Sequence, residues 1–298
     1  MAEYALGLDT SNYTTSVALC AAGGEYVSLR TPFDVAQGKR GVRQSDAVFL
    51  HTKELPNLLE RIFESRPKIA CVAVSDRPRD AAGSYMPCFM AGLAAARGLA
   101  AALDVPLFRL SHQRGHILAA LKGAGREDLL GKAFHAYHVS GGTTELLHVA
   151  ADGGITIAGA TADLNAGQLI DRCGVVLGLK FPCGAALETL ALNGAPGITP
   201  VRFKQADTVN LSGLENQFAA HLKAHSPEDC ALWLLESVAN ALLALAAGVS
   251  GPLILAGGVM SNRLIKARLD AAFETYATDS EFAADNAVGV ALYGAMQL

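Results

Sequence analysis

The chain writes one supersecondary pattern twice. "YALGLDTSNYTTSVALC", residues 4–20, places two apolar runs around a turn of Thr, Ser, Asn and Tyr. "AFHAYHVSGGTTELLHVA", residues 133–150, repeats the arrangement around Ser-Gly-Gly-Thr. Alternating or continuous apolar runs joined by small polar residues read as β-hairpins. After each hairpin the pattern passes to helices and single strands, which predicts an α/β fold of two similar lobes.

In the first lobe, strands are expected at 4–9 and 14–20, followed by a helix at about 45–64. A strand in "KIACVAVSD", an alanine-rich helix in "YMPCFMAGLAAARGLAAALD" and a strand in "PLFRL" come next. The second lobe continues from its hairpin to a strand in "GITIAGATA", helices at about 165–178 and 184–193, and a loop-rich region near 194–213. A long helix at about 227–248, a strand in "PLILAGG", a helix in "SNRLIKARLDAAF" and a last helix at about 285–297 complete it. The expected domains are 1–108 and 109–298, with the last helix packing back on the first lobe.

At 298 residues and 51% hydrophobic, the chain can bury two cores. Its longest apolar stretch, "LWLLESVANALLALAAGVSGPLILAGG", is broken by Glu236, Asn240 and glycines, so it reads as a buried helix and strand and not as a membrane span. The start shows no basic segment before an apolar run, and the six cysteines lack CxxC spacing, which points to buried thiols in a reducing cytoplasm. A net charge of −4 argues against autonomous nucleic-acid binding. The basic patch "GKRGVR", 38–43, reads as a solvated loop.

Small-residue hairpin turns can hold phosphates on backbone amides. "LILAGGVMSN" adds a strand, a tight turn and a helix start suited to an anion or ribose edge. Neither GxGxxG nor GxxxxGK[ST] is present. "RLSHQRGHILAAL", 109–121, offers a helix capped by Ser111, with His112 and His116 on one face and Cβ atoms roughly 5–6 Å apart. Alone, that pair is a metal site or two satisfied histidines at a core edge.

Taken in order, these segments resemble the TsaD/Gcp family, the O-sialoglycoprotein endopeptidase-like (peptidase M22-like) proteins. The segments are "LGLDTSNYTTSVAL", "RGVRQSDAVFLH" with its terminal His51, "VPLFRLSHQRGHILAAL", "VSGGTTEL", "NAGQLIDRCGVVLGLKFPCG", "LAGGVMSNRL" and "FAADNAVGVAL". The resemblance implies the two-lobed actin-like ATPase (ASKHA, ribonuclease H-like) fold with a central nucleotide and metal cleft. It implies a divalent metal, iron or zinc, on His112, His116 and Asp285. An aromatic hydroxyl is a further ligand in some members at the position of His138. It implies nucleotide contacts at Val139, Ser140, Gly141, Gly142, Thr143, Asp171, Gly184 and Asn262, and a phosphate hairpin at Thr10, Ser11 and Asn12. For Asn262, capping of the following helix is an equal reading.

The implied activity is threonylcarbamoyl transfer from an adenylate to a tRNA adenosine, with ATP or adenylate bound and no catalytic side chain assigned beyond the metal site. A related subunit or a second copy is the expected partner, and tRNA binding would need such help. The alternatives are an ATP- or carbamoyl-phosphate-handling enzyme acting on a small molecule, and a non-catalytic paralogue. Peptidase activity is not expected, because Gln113 stands where a zincin carries its glutamate. The chain departs from the family pattern at Asn12, Tyr13, Thr14, Gln44-Ser45, Phe49, "RPRD" 77–80, Thr143 and Arg172. That pattern suits a divergent paralogue.

Overall fold

Each hairpin seeds its own sheet. The computed structural model describes residues 3–11, 13–33, 42–278, 282 and 287–298. It divides into two compact units, Met1–Gly125 with Glu281–Leu298, and Arg126–Ser280. The division falls after residue 125 where the sequence suggested 108/109. The histidine helix therefore sits in the first unit, for a packing reason given below.

The first unit begins with β1 (Glu3–Asp9), β2 (Thr14–Ala21) and β3 (Tyr26–Pro32), an antiparallel meander. Helix α1 (Gln44–Phe63), β4 (Lys68–Arg77), α2 (Phe89–Leu103), β5 (Leu107–Ser111) and α3 (His112–Gly123) follow. The sheet order is β3-β2-β1-β4-β5, with β4 and β5 parallel to β1. Helix α1 buries His51, Leu55, Leu58 and Ile62, a helical stripe that packs with Leu93, Ala96 and Ala100 of α2 over Leu6, Leu8, Val17 and Leu19.

The second unit repeats this plan. Its meander is β6 (Phe134–Val139), β7 (Thr144–Val149) and β8 (Ile155–Thr161), followed by α4 (Ala166–Val176), α5 (Gly184–Ala191) and the two-residue β9 (Thr208–Val209). Then come α6 (Ser212–His221), α7 (Pro227–Leu245), β10 (Leu253–Ala256), α8 (Arg263–Asp270) and β11 (Thr275–Ala277). The order β11-β10-β6-β7-β8-β9 mirrors the first sheet, with β9 added at one edge. Trp233, Leu234, Val238 and Leu242 of α7 pack on Tyr137, Val139, Leu146, Leu253 and Leu255. The buried Tyr137 hydroxyl donates to the carbonyl of Leu242. The sequence did not anticipate the edge strands β3 and β11 or helix α6.

The last helix, α9 (Val288–Ala295), lies in the first unit. Its sequence "VGVALYGA" places Gly289 and Gly294 among larger residues, and the glycines let it settle close to its neighbours. A Cβ on Gly7 of β1 would stand 2.4 Å from the amide of Ala291, and a Cβ on Gly289 would stand 1.9 Å from the carbonyl oxygen of Gly115. Helix α3 thus crosses α9 backbone to backbone. This contact, far apart in sequence, draws α3 into the first unit.

Asp163, exposed in the turn before α4, accepts from the amides of Leu164 (2.5 Å), Leu211 (2.8 Å) and Ser212 (3.1 Å). It fastens the entry of α4 to the start of α6. Partial burial pushes its pKa up, but these donors outweigh it and bring the carboxyl to about 2.

Two outcomes follow from this packing. Gly289→Ala overpacks the α3–α9 crossing and lowers stability by about 1–3 kcal/mol or more in urea unfolding, whereas Ala295→Gly at the helix end costs less. Because the Asp163 pKa is depressed on folding, its contribution is full above its ordinary value near 3.8 and fades as pH falls towards about 2. The difference in urea midpoint between wild type and Asp163→Asn should therefore be widest above pH 4 and close across that window.

Candidate functional site

Three strand ends of the first unit converge on one carboxylate. Asp9 ends β1, Ser75 lies near the end of β4, and Ser111 ends β5 with His112 directly after it. Asp9 is fully buried and accepts hydrogen bonds from Ser11 Oγ at 2.6 Å and from Ser75 Oγ. Its Oδ1 lies 3.2 Å from His112 Nδ1. Burial pushes the Asp9 carboxyl up, but the His112 ring and the Ser11 and Ser75 hydroxyls more than offset this, and the group ends below the usual carboxylate range. An ionised carboxylate only accepts, so the proton of the His112–Asp9 bond resides on Nδ1. His116, buried one turn later, brings its ring centroid to 4.3 Å from that of His112.

The start of α3 is held from several sides. Ser111 caps it by accepting from the Arg114 amide at 3.0 Å, as the sequence predicts. The Gln113 amide donates to the carbonyl of Pro78 at 3.0 Å, which satisfies a first-turn donor. Asp80 takes Arg114 at 2.8 Å and Arg77 at 3.0 Å, while Asp76 takes Arg77 at 2.6 Å and Arg109 at 2.5 Å. The "RPRD" segment, a departure from the family pattern, is thus the dock for the histidine helix. Gln44, another departure, accepts from the Cys88 amide at 3.2 Å. Phe49 is exposed. His51 is buried, with Nδ1 2.8 Å from Thr15 Oγ1 and its ring against Phe33.

The phosphate-hairpin residues turn their side chains inward. Thr10 donates to the carbonyl of Cys88 at 3.1 Å and accepts from the Gly92 amide at 3.1 Å, and Ser11 serves Asp9. A ligand at this turn would meet backbone amides and not these hydroxyls. Asn12 and Asp285 lie outside the described residues. Among the described residues no group of three His, Cys, Asp or Glu has metal-binding geometry.

In the second unit residues 139–143 run on from the carboxyl end of β6 and Asn262 lies beyond that of β10, while Asp171 lies on α4 and Gly184 starts α5. Val139 is wholly buried core, so only its backbone is available. The turn that follows is closed by the Ser140 amide on the carbonyl of Thr143 at 2.8 Å, with Gly141 and Gly142 exposed and open space above both. Helix α4 starts against this turn. The Ala166 amide donates to Thr144 Oγ1 at 2.8 Å, and a Cβ on Gly167 would meet the Ser140 carbonyl oxygen at 2.5 Å. The helix's positive end thereby abuts the glycines.

Asp171, half-buried on α4, accepts from the Cys183 amide at 2.7 Å and fixes the turn that leads to Gly184. Burial raises its pKa despite that bond. Arg172 pairs with Glu215 at 3.0 Å, and the space around Gly184 is open. Asn262 caps α8, its Oδ1 accepting from the amides of Leu264 and Ile265, both at 3.1 Å. Beside it Glu188 holds Arg263 at 2.5 Å and so ties α5 to α8. His138, buried at the end of β6, stands opposite Glu145 in this unit, whereas His112 and His116 belong to the other.

With this geometry in place, comparison with known proteins is direct. The family model described as TsaD, tRNA N6-adenosine threonylcarbamoyltransferase, matches residues 29–292. A Thermus thermophilus protein of that name is 31% identical, over 98% of this chain and 91% of its own. A Methanopyrus kandleri protein of the same name is 30% identical, over 97% and 86%. The chain belongs to the TsaD family. Among solved structures, component A of (R)-2-hydroxyglutaryl-CoA dehydratase from Acidaminococcus fermentans aligns with a TM-score of 0.61 at 17% identity, covering 99% of this chain and 98% of that one. HypF from T. kodakarensis aligns at 0.60 and 15% identity, over 99% of this chain and 48% of its own. These likenesses carry the fold, the actin-like ATPase fold, and nothing further.

Sequence reasoning missed Asp9 and Ser75. The available signal was a lone acid closing an apolar strand in "LGLD", which is equally the first residue of a turn. Asn262 yields a direct outcome: Asn262→Ala removes both cap bonds and costs about 1 kcal/mol in equilibrium urea unfolding, while Asn262→Asp retains most of that stability.

Proposed function

We propose that this chain is a metal-dependent, adenine-nucleotide-binding transferase that moves a threonylcarbamoyl group from threonylcarbamoyl-adenylate to the N6 amine of a tRNA adenosine. The observation that carries the reading is the near-full-length likeness to proteins of that name. The buried Asp9–His112 pairing beside His116 supports it, being an arrangement suited to presenting imidazole nitrogens to an ion.

His112 and His116 hold a divalent iron or zinc ion in this reading, with Asp285 as the carboxylate ligand and His138 as a further candidate. Two imidazoles are donors that suit either metal. When bound, the ion supplies Lewis acidity to substrate oxygens. Asp9 fixes the tautomer and direction of the His112 ring. In the second unit, the amides of Gly141, Gly142 and Thr143 take the phosphate while the Ser140 amide, bonded to the Thr143 carbonyl, holds the turn closed, and the start of α4 adds its partial positive charge. Val139 shapes that turn from below. Asp171 accepts from ribose hydroxyls while it holds the Cys183 amide. Gly184 lets the ligand approach the backbone, and Asn262 sets the α8 edge beside it. At the first hairpin, Thr10, Ser11 and Asn12 contribute through backbone amides.

In the transfer, the amine nitrogen bonds to the carbamoyl carbon, the C–O bond to the phosphate breaks, and AMP leaves with the electron pair. The nitrogen gives up one proton. Adenine N6 is a weak nucleophile, so positioning and charge stabilisation carry most of the barrier. With a net charge of −4 the chain recruits tRNA through a partner subunit that supplies positive surface. Among the described residues no helix is long and apolar enough to cross a membrane, and the reaction belongs in the cytoplasm with its tRNA.

The test is expression in a bacterial strain whose own tRNA threonylcarbamoyltransferase is depleted, with tRNA nucleosides measured by mass spectrometry. Wild type restores the modified nucleoside, and His112→Ala with His116→Ala does not. Asp9→Asn should lower iron or zinc affinity by about 10–100-fold in equilibrium dialysis. Metal and nucleotide binding without restored nucleoside would overturn the tRNA reading in favour of a small-molecule reaction.

A further inference from the structure

A second pair of imidazoles lies on a different element from the α3 histidines. His135 of β6 and His148 of β7 are directly opposed in the antiparallel ladder. The His135 amide donates to the carbonyl of Pro252 at 3.4 Å, on the β10 side, so its backbone polar groups point away from β7. The His135–His148 pair is therefore of the non-hydrogen-bonded kind, in which facing side chains come closest. The two half-buried rings have centroids 5.2 Å apart and are inclined at 57°. His135 Nδ1 is shut off from water and has no hydrogen-bond partner among the described residues. A buried ring nitrogen without a partner marks a place where something polar belongs.

Two imidazoles fixed on adjacent strands form a chelate. We infer that His135 and His148 bind one transition-metal ion of the kind imidazole prefers, Zn2+, Ni2+ or Cu2+, at a site separate from that of His112 and His116. The neighbours across the ladder are Leu253 on β10 and Thr156 on β8, which is exposed, so an ion reaches the pair from the β8 side. Burial, reinforced by the neighbouring His148, lowers the His135 pKa, so this ring is neutral at pH 7 and in the form that ligates. The site has a structural consequence. His135 and His148 join β6 to β7 near the open end of the hairpin whose other end is the Ser140–Thr143 turn. An ion there clips the two strands.

The test uses the full chain carrying His112→Ala and His116→Ala, so that the α3 pair is silent, titrated with NiCl2 by calorimetry. One equivalent should bind, with a rise in thermal unfolding midpoint. Adding His148→Gln should weaken binding by about tenfold or more and abolish the rise, since one arm of the chelate is gone. His135→Gln serves as the independent second variant, and circular dichroism confirms that each variant is folded. Cu2+ bound to the α3-silenced chain should give an electron paramagnetic resonance signal with coupling to two imidazole nitrogens. Absence of binding in the α3-silenced chain, or binding that survives both glutamine substitutions, would overturn the inference.

Discussion

A carboxylate sealed from water must find donors for its oxygens inside the protein, and much of the first unit is organised around that demand at Asp9. Two hydroxyls and an imidazole answer it, from the turn after β1, from β4 and from the start of α3. Each comes from a different part of the chain, so satisfying the acid also brings three strand ends into register. Removing one donor leaves an uncompensated charge. Removing the acid frees the His112 ring to choose its tautomer. The same buried group thus bears on folding and on the chemistry available to α3.

What the sequence disclosed follows from the range of each interaction. The two hairpins, the Ser111 cap and the division of residues 227–256 into helix and strand rest on neighbours a few residues apart, so their signals survive in a linear reading. The role of Asp9 does not, because its partners Ser75 and His112 lie 66 and 103 residues away. Nor does the placement of α3, which depends on glycines at 115 and 289 allowing two helices to touch. The strands β3 and β11 are edges with no buried residue, which blunts the period-two signal. For Asn262 the sequence left cap and ligand contact as equal readings, and the geometry shows the cap.

Departures from the family pattern look different once their bonds are known. Gln44 receives the Cys88 amide, the 77–80 segment docks α3 through Asp80 and the carbonyl of Pro78, and Arg172 pairs with Glu215. These residues are integrated into the frame. An unpaired substitution at a half-buried site would instead leave charges and amides without partners. Around α3 these contacts enclose both histidines and a buried acid beside them.

A common logic then links the two units. In both, side chains near the strand ends are spent inward: Thr10 on α2, Ser11 on Asp9, Val139 in the core, Thr144 on α4 and Asn262 on its own helix. In the proposed function, recognition at these turns therefore falls to backbone amides, whose positions no single substitution alters unless it moves the chain. This explains why the motifs are written in small residues, since Ser, Thr and Gly leave the amides accessible and add nothing that competes for the ligand. It also means that the side chains carrying distinctive chemistry are few. The imidazoles of α3 and the carboxylate of Asp171 are among them, and each also holds part of the frame, His112 through Asp9 and Asp171 through the Cys183 amide.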